Sequence, residues 1–217
     1  MVVIVRGTVP SSEFALRHTL EAVPNVEVEI ERIVSTSEHS AMPLSWVRGG
    51  EREATATALE NDPSVEDATL LADFDDEWLY RMEWVDHVKF ILQMVTGADA
   101  TVLDAYGSGD RWMLRAMYPD RDALSAVDEF RADHGLTFDV ESVRRLDGDP
   151  SGRFGLTAGQ YEALTTAAER GFFEVPRGIT LQELAEELGI SHQALSERIR
   201  RGTDALIDDT LLIKPPP

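Results

Sequence analysis

Cysteine is absent from these 217 residues, lysine occurs only at positions 89 and 214, and no apolar run approaches the ~18 residues that a membrane helix needs. The first absence excludes disulfides, thiolate zinc sites and cysteine nucleophiles, so a metal would depend on carboxylates and five histidines. His18, His39, His87 and His134 have no histidine three or four residues away, and nothing resembles a zinc helix. No metal and no cofactor are expected. Residues 1–6 lack the basic start, long apolar stretch and cleavage site of a secretory signal and read as a strand. The chain is expected to be cytoplasmic, with no membrane contact.

What is abundant is acid: 40 Asp and Glu against 20 Lys and Arg, a formal net charge of −20. The acids are spread along the whole chain, which favours adaptation to molar cytoplasmic salt, as in haloarchaea, over an acidic patch that binds basic partners. In ~1 M salt the Debye length falls to about 3 Å, so self-repulsion is screened while hydrated carboxylates keep the chain soluble. The charge is uneven. Residues 1–150 carry 30 acids and 13 bases, residues 151–217 only 10 and 7, and Arg198, Arg200 and Arg201 cluster in the second part. That part is the less repulsive face for phosphate.

Residues 146–153 are rich in turn formers without periodicity and mark a boundary between an α/β domain, 1–148, and a helical domain, 153–214. Within the first, residues 2–8, 26–34, 44–48 and 65–74 read as strands and 11–22 and 51–60 as helices, with Glu27, Glu29 and Glu31 facing water. Residues 78–85, 101–105, 111–118 and 136–143 repeat the strands, and 86–95 and 121–133 the helices. The order is βαββαβ twice, with repeats over 1–75 and 76–147. The expected class is α+β: a duplicated ferredoxin-like domain, each unit an antiparallel sheet with two helices on one face, followed by an all-α domain.

Motifs that suggest chemistry in the first domain have simpler readings. Tyr106-Gly-Ser-Gly-Asp110 sits between strands and not before a helix, so it reads as a hairpin turn and not a phosphate loop. Asp73, Asp75, Asp76 and Glu77 read as a solvated linker and not as paired acid/base carboxylates. His134-Gly135 suits a helix C-terminus, and Ser11-Ser12 a helix start. Trp78, Tyr80, Met82 and Trp84 alternate along one strand and share a face. Core packing is the favoured use; the functional alternative is a pocket for a planar or apolar effector, lined by Trp78, Tyr80, Trp84 and Trp112. No catalytic arrangement emerges, and an enzyme is not expected.

The most specific pattern spans residues 180–201. Thr180 and Glu183 form a capping box, and Leu181, Leu184, Ala185 and Leu188 an apolar stripe with Ala185 small where a second helix crosses. Gly189 stands where a positive φ is wanted, Ile190 plugs the corner, and Ser191 caps the next helix. This spacing is that of a helix-turn-helix (HTH), which makes double-stranded DNA the first partner to consider. A preceding helix over 156–170, capped by Thr157 and ended by Gly171, and the aromatics of 172–178 complete a three-helix core. Leu195, Ile199, Gly202 and Leu206 form a seam suited to packing on that first helix or to a dimer, with packing within the chain preferred. Leu195, Ile199 and the aliphatic part of Arg198 face inward, so Gln193, Ser196, Glu197 and Arg200 point outward, with Ser191 and His192 at the helix start. Glutamine can pair with adenine, arginine with guanine, and glutamate can accept from cytosine. Arg201 and the capped start at Thr180 suit the phosphate backbone.

Residues 156–212, notably LTAGQYEAL, GFFEVPR and ELAEELGISHQALSERIRRG, closely resemble the HTH domain of haloarchaeal bacterio-opsin activator-like regulators. The resemblance implies a transcription factor with a C-terminal HTH preceded by an associated α/β domain. Larger members add PAS or GAF sensor modules, for which these 217 residues leave no room, so neither a sensed signal nor a promoter is implied. The chain is therefore expected to be a sequence-specific DNA-binding regulator, a homodimer whose N-terminal domain dimerises, senses a small-molecule effector or meets a basal transcription factor. The alternative is a ligand-sensing adaptor whose HTH contacts the transcription machinery.

Overall fold

The computed structural model describes residues 2–37, 40–85, 88, 101–120, 137–146 and 150–210, with the side chains of 31–43, 150 and 153 excepted. The expected helices at 86–95 (apart from Val88) and 121–133, His39, His87, His134-Gly135 and the Glu31 side chain lie outside the described residues. The chain divides into two compact units, the first ending at Val143 and the second beginning at Arg144.

In the first unit β1 (Val3–Pro10), β2 (Glu27–Ser37), β3 (Ser40–Arg48), β4 (Val65–Asp73), β5 (Glu77–Trp84), β6 (Thr101–Ser108), β7 (Arg111–Tyr118) and β8 (Asp139–Arg145, its last two residues falling to the second unit) alternate with α1 (Arg17–Ala22) and α2 (Arg52–Glu60). They form one eight-stranded sheet, in the order β4-β5-β3-β2-β6-β7-β1-β8. Pairings are antiparallel for β4·β5, β5·β3, β3·β2, β2·β6, β6·β7 and β7·β1. This corrects the expectation of two self-contained units. A split βαβ unit holds its first strand between its third and fourth, yet here β5 lies between β3 and β4, and β1 between β7 and β8. Each half contains the other half's first strand.

A local cause is visible in the β4–β5 hairpin. Only Phe74, Asp75 and Asp76 separate the two strands; Asp75 has φ +63° and the Phe74 amide donates to Glu77 O at 2.9 Å. So short a loop makes β5 pair with β4 at once, which fills the position β1 would have taken. The acidic linker is thus a turn, with Glu77 and Asp73 paired to Arg48 and Arg52. The Tyr106–Asp110 run is also a hairpin: Ser108 pairs with Arg111 across Gly109 and Asp110.

Residues 11–22 do not form one helix. A 3-10 turn (Ser11–Glu13) is followed by Leu16 at φ 56°, ψ 27°, and only then by α1. Leucine cannot cap a helix with its side chain, and distant residues do so instead. The Leu16 amide donates to Ser64 Oγ at 2.8 Å and the Thr19 amide to Asp62 Oδ2 at 2.8 Å. Phe14 is thereby placed edge-on against Trp84 (5.7 Å) and Trp112 (5.2 Å), which lie on β5 and β7 in different halves of the sheet.

The core covers one face of the sheet, from Val3, Val5 and Val9 through Leu114 and Tyr118 to Trp78, Met82 and Trp84. The other face carries charge: the Arg48 guanidinium meets Glu27 at 2.8 Å, Glu77 at 3.3 Å and Glu29 at 3.4 Å, across β2, β3 and β5. Glu27 and Glu29 therefore point away from the core as expected, though half-buried in this ionic network.

The second unit has a 3-10 segment (Pro150–Phe154), α3 (Ala158–Glu169), α4 (Leu181–Glu187) and α5 (His192–Thr210). Its core is Ala163 and Ala167 of α3, Phe172, Leu184 and Ala185 of α4, and Leu195 of α5, flanked by Leu188, Ile190 and Ile199. Phe172 closes this core, whereas Phe173 is exposed.

Candidate nucleic-acid interface

Three caps set the HTH geometry. Thr157 and Gln160 form a capping box on α3, and Thr180 and Glu183 one on α4. Thr180 Oγ1 donates to Glu183 Oε2 at 2.7 Å and accepts from the Glu183 amide at 3.3 Å. These bonds from the backbone and hydroxyl of Thr180 hold the Glu183 carboxyl below its usual range. Ser191 Oγ accepts from the Ala194 amide at 3.1 Å and starts α5.

Between α4 and α5, Gly189 takes φ +65°, which permits the Ile190 amide to reach back to Ala185 O at 3.0 Å. Ala185 is buried at the crossing, where a larger side chain would hold the helices apart. The seam on α5 packs against α3: a Cβ on Gly202 would lie 2.7 Å from Leu164 Cδ1 and 3.3 Å from Gln160 Cβ. A side chain at this position would have to push the tip of Leu164 aside.

This packing rotates the polar flank of α5 outward. Ser191, His192, Gln193, Ser196, Glu197, Arg200 and Arg201 are all exposed, as is Thr180. Leu195 is fully buried, Arg198 and Ile199 are intermediate, and the Arg198 guanidinium lies along α3 beside Gly159. One pairing escaped the sequence reading although its spacing announced it. Glu197 and Arg201, at i and i+4, form a salt bridge, so the glutamate and the expected phosphate-binding arginine occupy each other. Arg200 has no ion pair among the described residues. The Thr180 hydroxyl is likewise engaged in its own cap.

The four residues proposed to line an effector pocket are elsewhere. Trp78, Tyr80, Trp84 and Trp112 belong to the core of the first unit, none more than 4% exposed, and Trp112 Nε1 donates to Ala15 O at 2.7 Å. Among the described residues no group of three or more metal-ligating side chains is assembled, and no helix is long and apolar enough to cross a membrane.

Two family models match the chain. Residues 156–208 match an HTH DNA binding domain, and residues 2–158 match a GAF and HTH_10 associated domain. A putative transcriptional regulator of Haloferax volcanii is 28% identical over 187 residues, which cover 86% of this chain and 27% of that protein. The dimethyl sulfoxide reductase transcriptional activator of the same organism is 52% identical over 44 residues, 20% of this chain and 21% of that protein. The matches thus span about a quarter of the length of these relatives. The family is one of transcriptional regulators and not of enzymes. An α/β domain matching the GAF and HTH_10 associated model over most of the chain, joined to a capped three-helix HTH, places this chain in the haloarchaeal bacterio-opsin activator-like family of HTH regulators.

Proposed function

We propose that the chain acts in the cytoplasm of a halophilic archaeon as a sequence-specific, double-stranded-DNA-binding transcriptional regulator, with the outward flank of α5 in the major groove. The observation that carries this is the exposure of Gln193, Ser196, Glu197 and Arg200 on one side of a helix whose other side is buried. Gln193 and Arg200 are the base-reading groups, suited to adenine and guanine. His192 and Ser191 at the helix start, with Arg201 once released from Glu197, approach phosphate.

The N-terminal unit is regulatory in this reading. It also supplies the homodimer. At molar salt little is gained from counterion release, so one HTH is a weak ligand and a second half-site restores affinity.

A mobility-shift titration on genomic fragments in molar KCl tests the proposal. Wild type should give a discrete complex, and Arg200→Ala should lose about 1–3 kcal/mol of discrimination at one base position while retaining its fold. An unchanged footprint for that variant refutes the recognition face. One observation favours a second reading, that the HTH docks on a protein such as a basal transcription factor: before α4, Phe173 and Val175 are 54% and 98% exposed. Under that reading no fragment is retarded.

A further inference from the structure

The sheet has two ends, β4 and β8, each with one side free of any described strand. An open edge is a template for another chain, and the two ends treat that hazard differently. β4 breaks register between Val65 and Asp67 and again between Leu70 and Ala72, and it carries three acids with no cation. A second acidic chain is discouraged there. β8, whose seven residues read Asp-Val-Glu-Ser-Val-Arg-Arg, has two acids followed by two arginines and is neutral as a strand, in a chain of net charge −20. Residues 139–143 are exposed without a break, Val140 and Val143 at 44% and 45%, so side chains on both faces of the strand are left uncovered. Asp139 meets Arg111 at 2.7 Å and Glu141 meets Arg6 at 3.4 Å, which sets residues 139, 141, 143 and 145 on the charged face of the sheet. Arg145 is exposed there and has no ion pair among the described residues, although the chain holds 40 acids against 20 bases.

We propose that β8 is the homodimer interface and that its occupant is the β8 of a second copy, joined antiparallel across a two-fold axis. Such an axis, perpendicular to the sheet, keeps each face on its own side, so only residues of the same parity can stand opposite one another. The register that pairs all seven residues centres on Ser142. It places Arg145 opposite the partner's Asp139 and diagonal to the partner's Glu141, twice by symmetry. The unpaired arginine thereby gains a carboxylate, and no like charges stand opposite. Main-chain hydrogen bonds and burial of the valines do not depend on charge, and ion pairs in contact lie within the ~3 Å Debye length of molar salt. The pairing also bears on DNA. β8 runs on into the second unit, where Arg144 Nη2 meets Asp209 Oδ1 of α5 at 2.9 Å. Two copies joined through β8 therefore hold the anchors of both α5 helices on one two-stranded ribbon, as a pair of half-sites requires.

The assignment rests on reading the N-terminal unit as the source of the homodimer, and the two fail separately. Sedimentation velocity of the full-length protein in molar KCl, over a range of concentrations, tests both. Wild type should dimerise, and Arg145→Glu and Asp139→Arg should each weaken the dimer at least about tenfold, because each sets like charges opposite one another twice. Both positions are exposed, so the wild-type thermal midpoint should persist. The decisive sample is the equimolar mixture: the two variants complement each other at both contacts, and the dimer should return as a heterodimer. If Asp139→Arg does not fold, Ser142→Lys, which sets two lysines at the axis, replaces it as the second single variant and should weaken the dimer as well. Wild-type dimerisation in a folded single variant, or a mixture no tighter than its components, overturns β8 as the interface and leaves the homodimer standing. Wild type that stays monomeric at every concentration refutes the homodimer reading and this interface with it, and leaves the edge to a strand of another protein.

Discussion

Replacing Asp62 should unfold the first unit more readily than its position in a surface-connected loop suggests. Asp62 is 3% exposed and lies 43 residues from the helix it caps. Its Oδ2 accepts from the amide and the hydroxyl of Thr19, both at 2.8 Å, and its Oδ1 from the amide (3.0 Å) and hydroxyl (2.6 Å) of Ser64. Thr19 is fully buried, so Asp62→Ala leaves its two donors without water or partner, at about 1–3 kcal/mol each. Ser64 is only partly buried and its groups turn to solvent at small cost. The expected loss is roughly 2–6 kcal/mol, a large share of the ~5–15 kcal/mol of a typical domain. Asp62→Asn should fall between, because one carboxamide oxygen serves one side of the network and the NH₂ group opposes donors on the other. The assay is urea unfolding in molar KCl followed by tryptophan fluorescence. All four tryptophans, 46, 78, 84 and 112, lie in the first unit, so the signal reports that unit alone. The midpoint should drop at unchanged slope. A loss under about 0.5 kcal/mol for Asp62→Ala would refute the reasoning, since it would mean that Thr19's donors find equivalent partners elsewhere.

Gly202→Val should destabilise the second unit by about 1–3 kcal/mol, because even its Cβ meets Leu164 at 2.7 Å and the branch adds further crowding; circular dichroism during urea unfolding measures it. Glu197→Ala frees Arg201 from its salt bridge, so affinity for non-cognate DNA should rise and the slope of log K against log[KCl] steepen by about 0.9, the contribution of one more phosphate contact. An unchanged slope would mean that Arg201 never reaches the backbone.

The HTH was legible because its determinants are local. Thr157, Thr180, Gly189 and Ser191 each act within a few residues of themselves, and their caps and turn occur where the spacing places them. The strands of the first unit were legible for the same reason, since alternation is a property of one strand. What alternation does not encode is which strand lies beside which. The register that puts β5 against β3, Ser45 opposite Tyr80 and Val47 opposite Trp78, leaves no mark in either strand alone, and neither does the seam of β2 with β6. The break at Leu16 was hidden for a related reason: leucine gives no stop signal, and the residues that stabilise its left-handed backbone are Ser64 and Asp62. Even the aromatic strand face divides this way. That Trp78, Tyr80 and Trp84 share a face follows from period two, whereas their closure by Phe14 and the core follows only from the fold.

The inventory of arginines in the second unit links the acidic composition to the manner of DNA binding. Arg170 donates twice to Glu187, joining the end of α3 to the end of α4; Arg177 lies over the Phe172 ring at 4.6 Å; Arg198 rests along α3; Arg201 is paired to Glu197. In dilute buffer such use would be wasteful for a DNA-binding domain, because every cation bound to protein is one that releases no counterion from phosphate. At molar salt that release is worth little, and a guanidinium contributes more by stacking, bridging helices and fixing the angle of α5. On the proposed recognition face, sequence preference would then fall to the few groups set toward base edges, Arg200 and Gln193 foremost, which would let an HTH function in a chain of net charge −20.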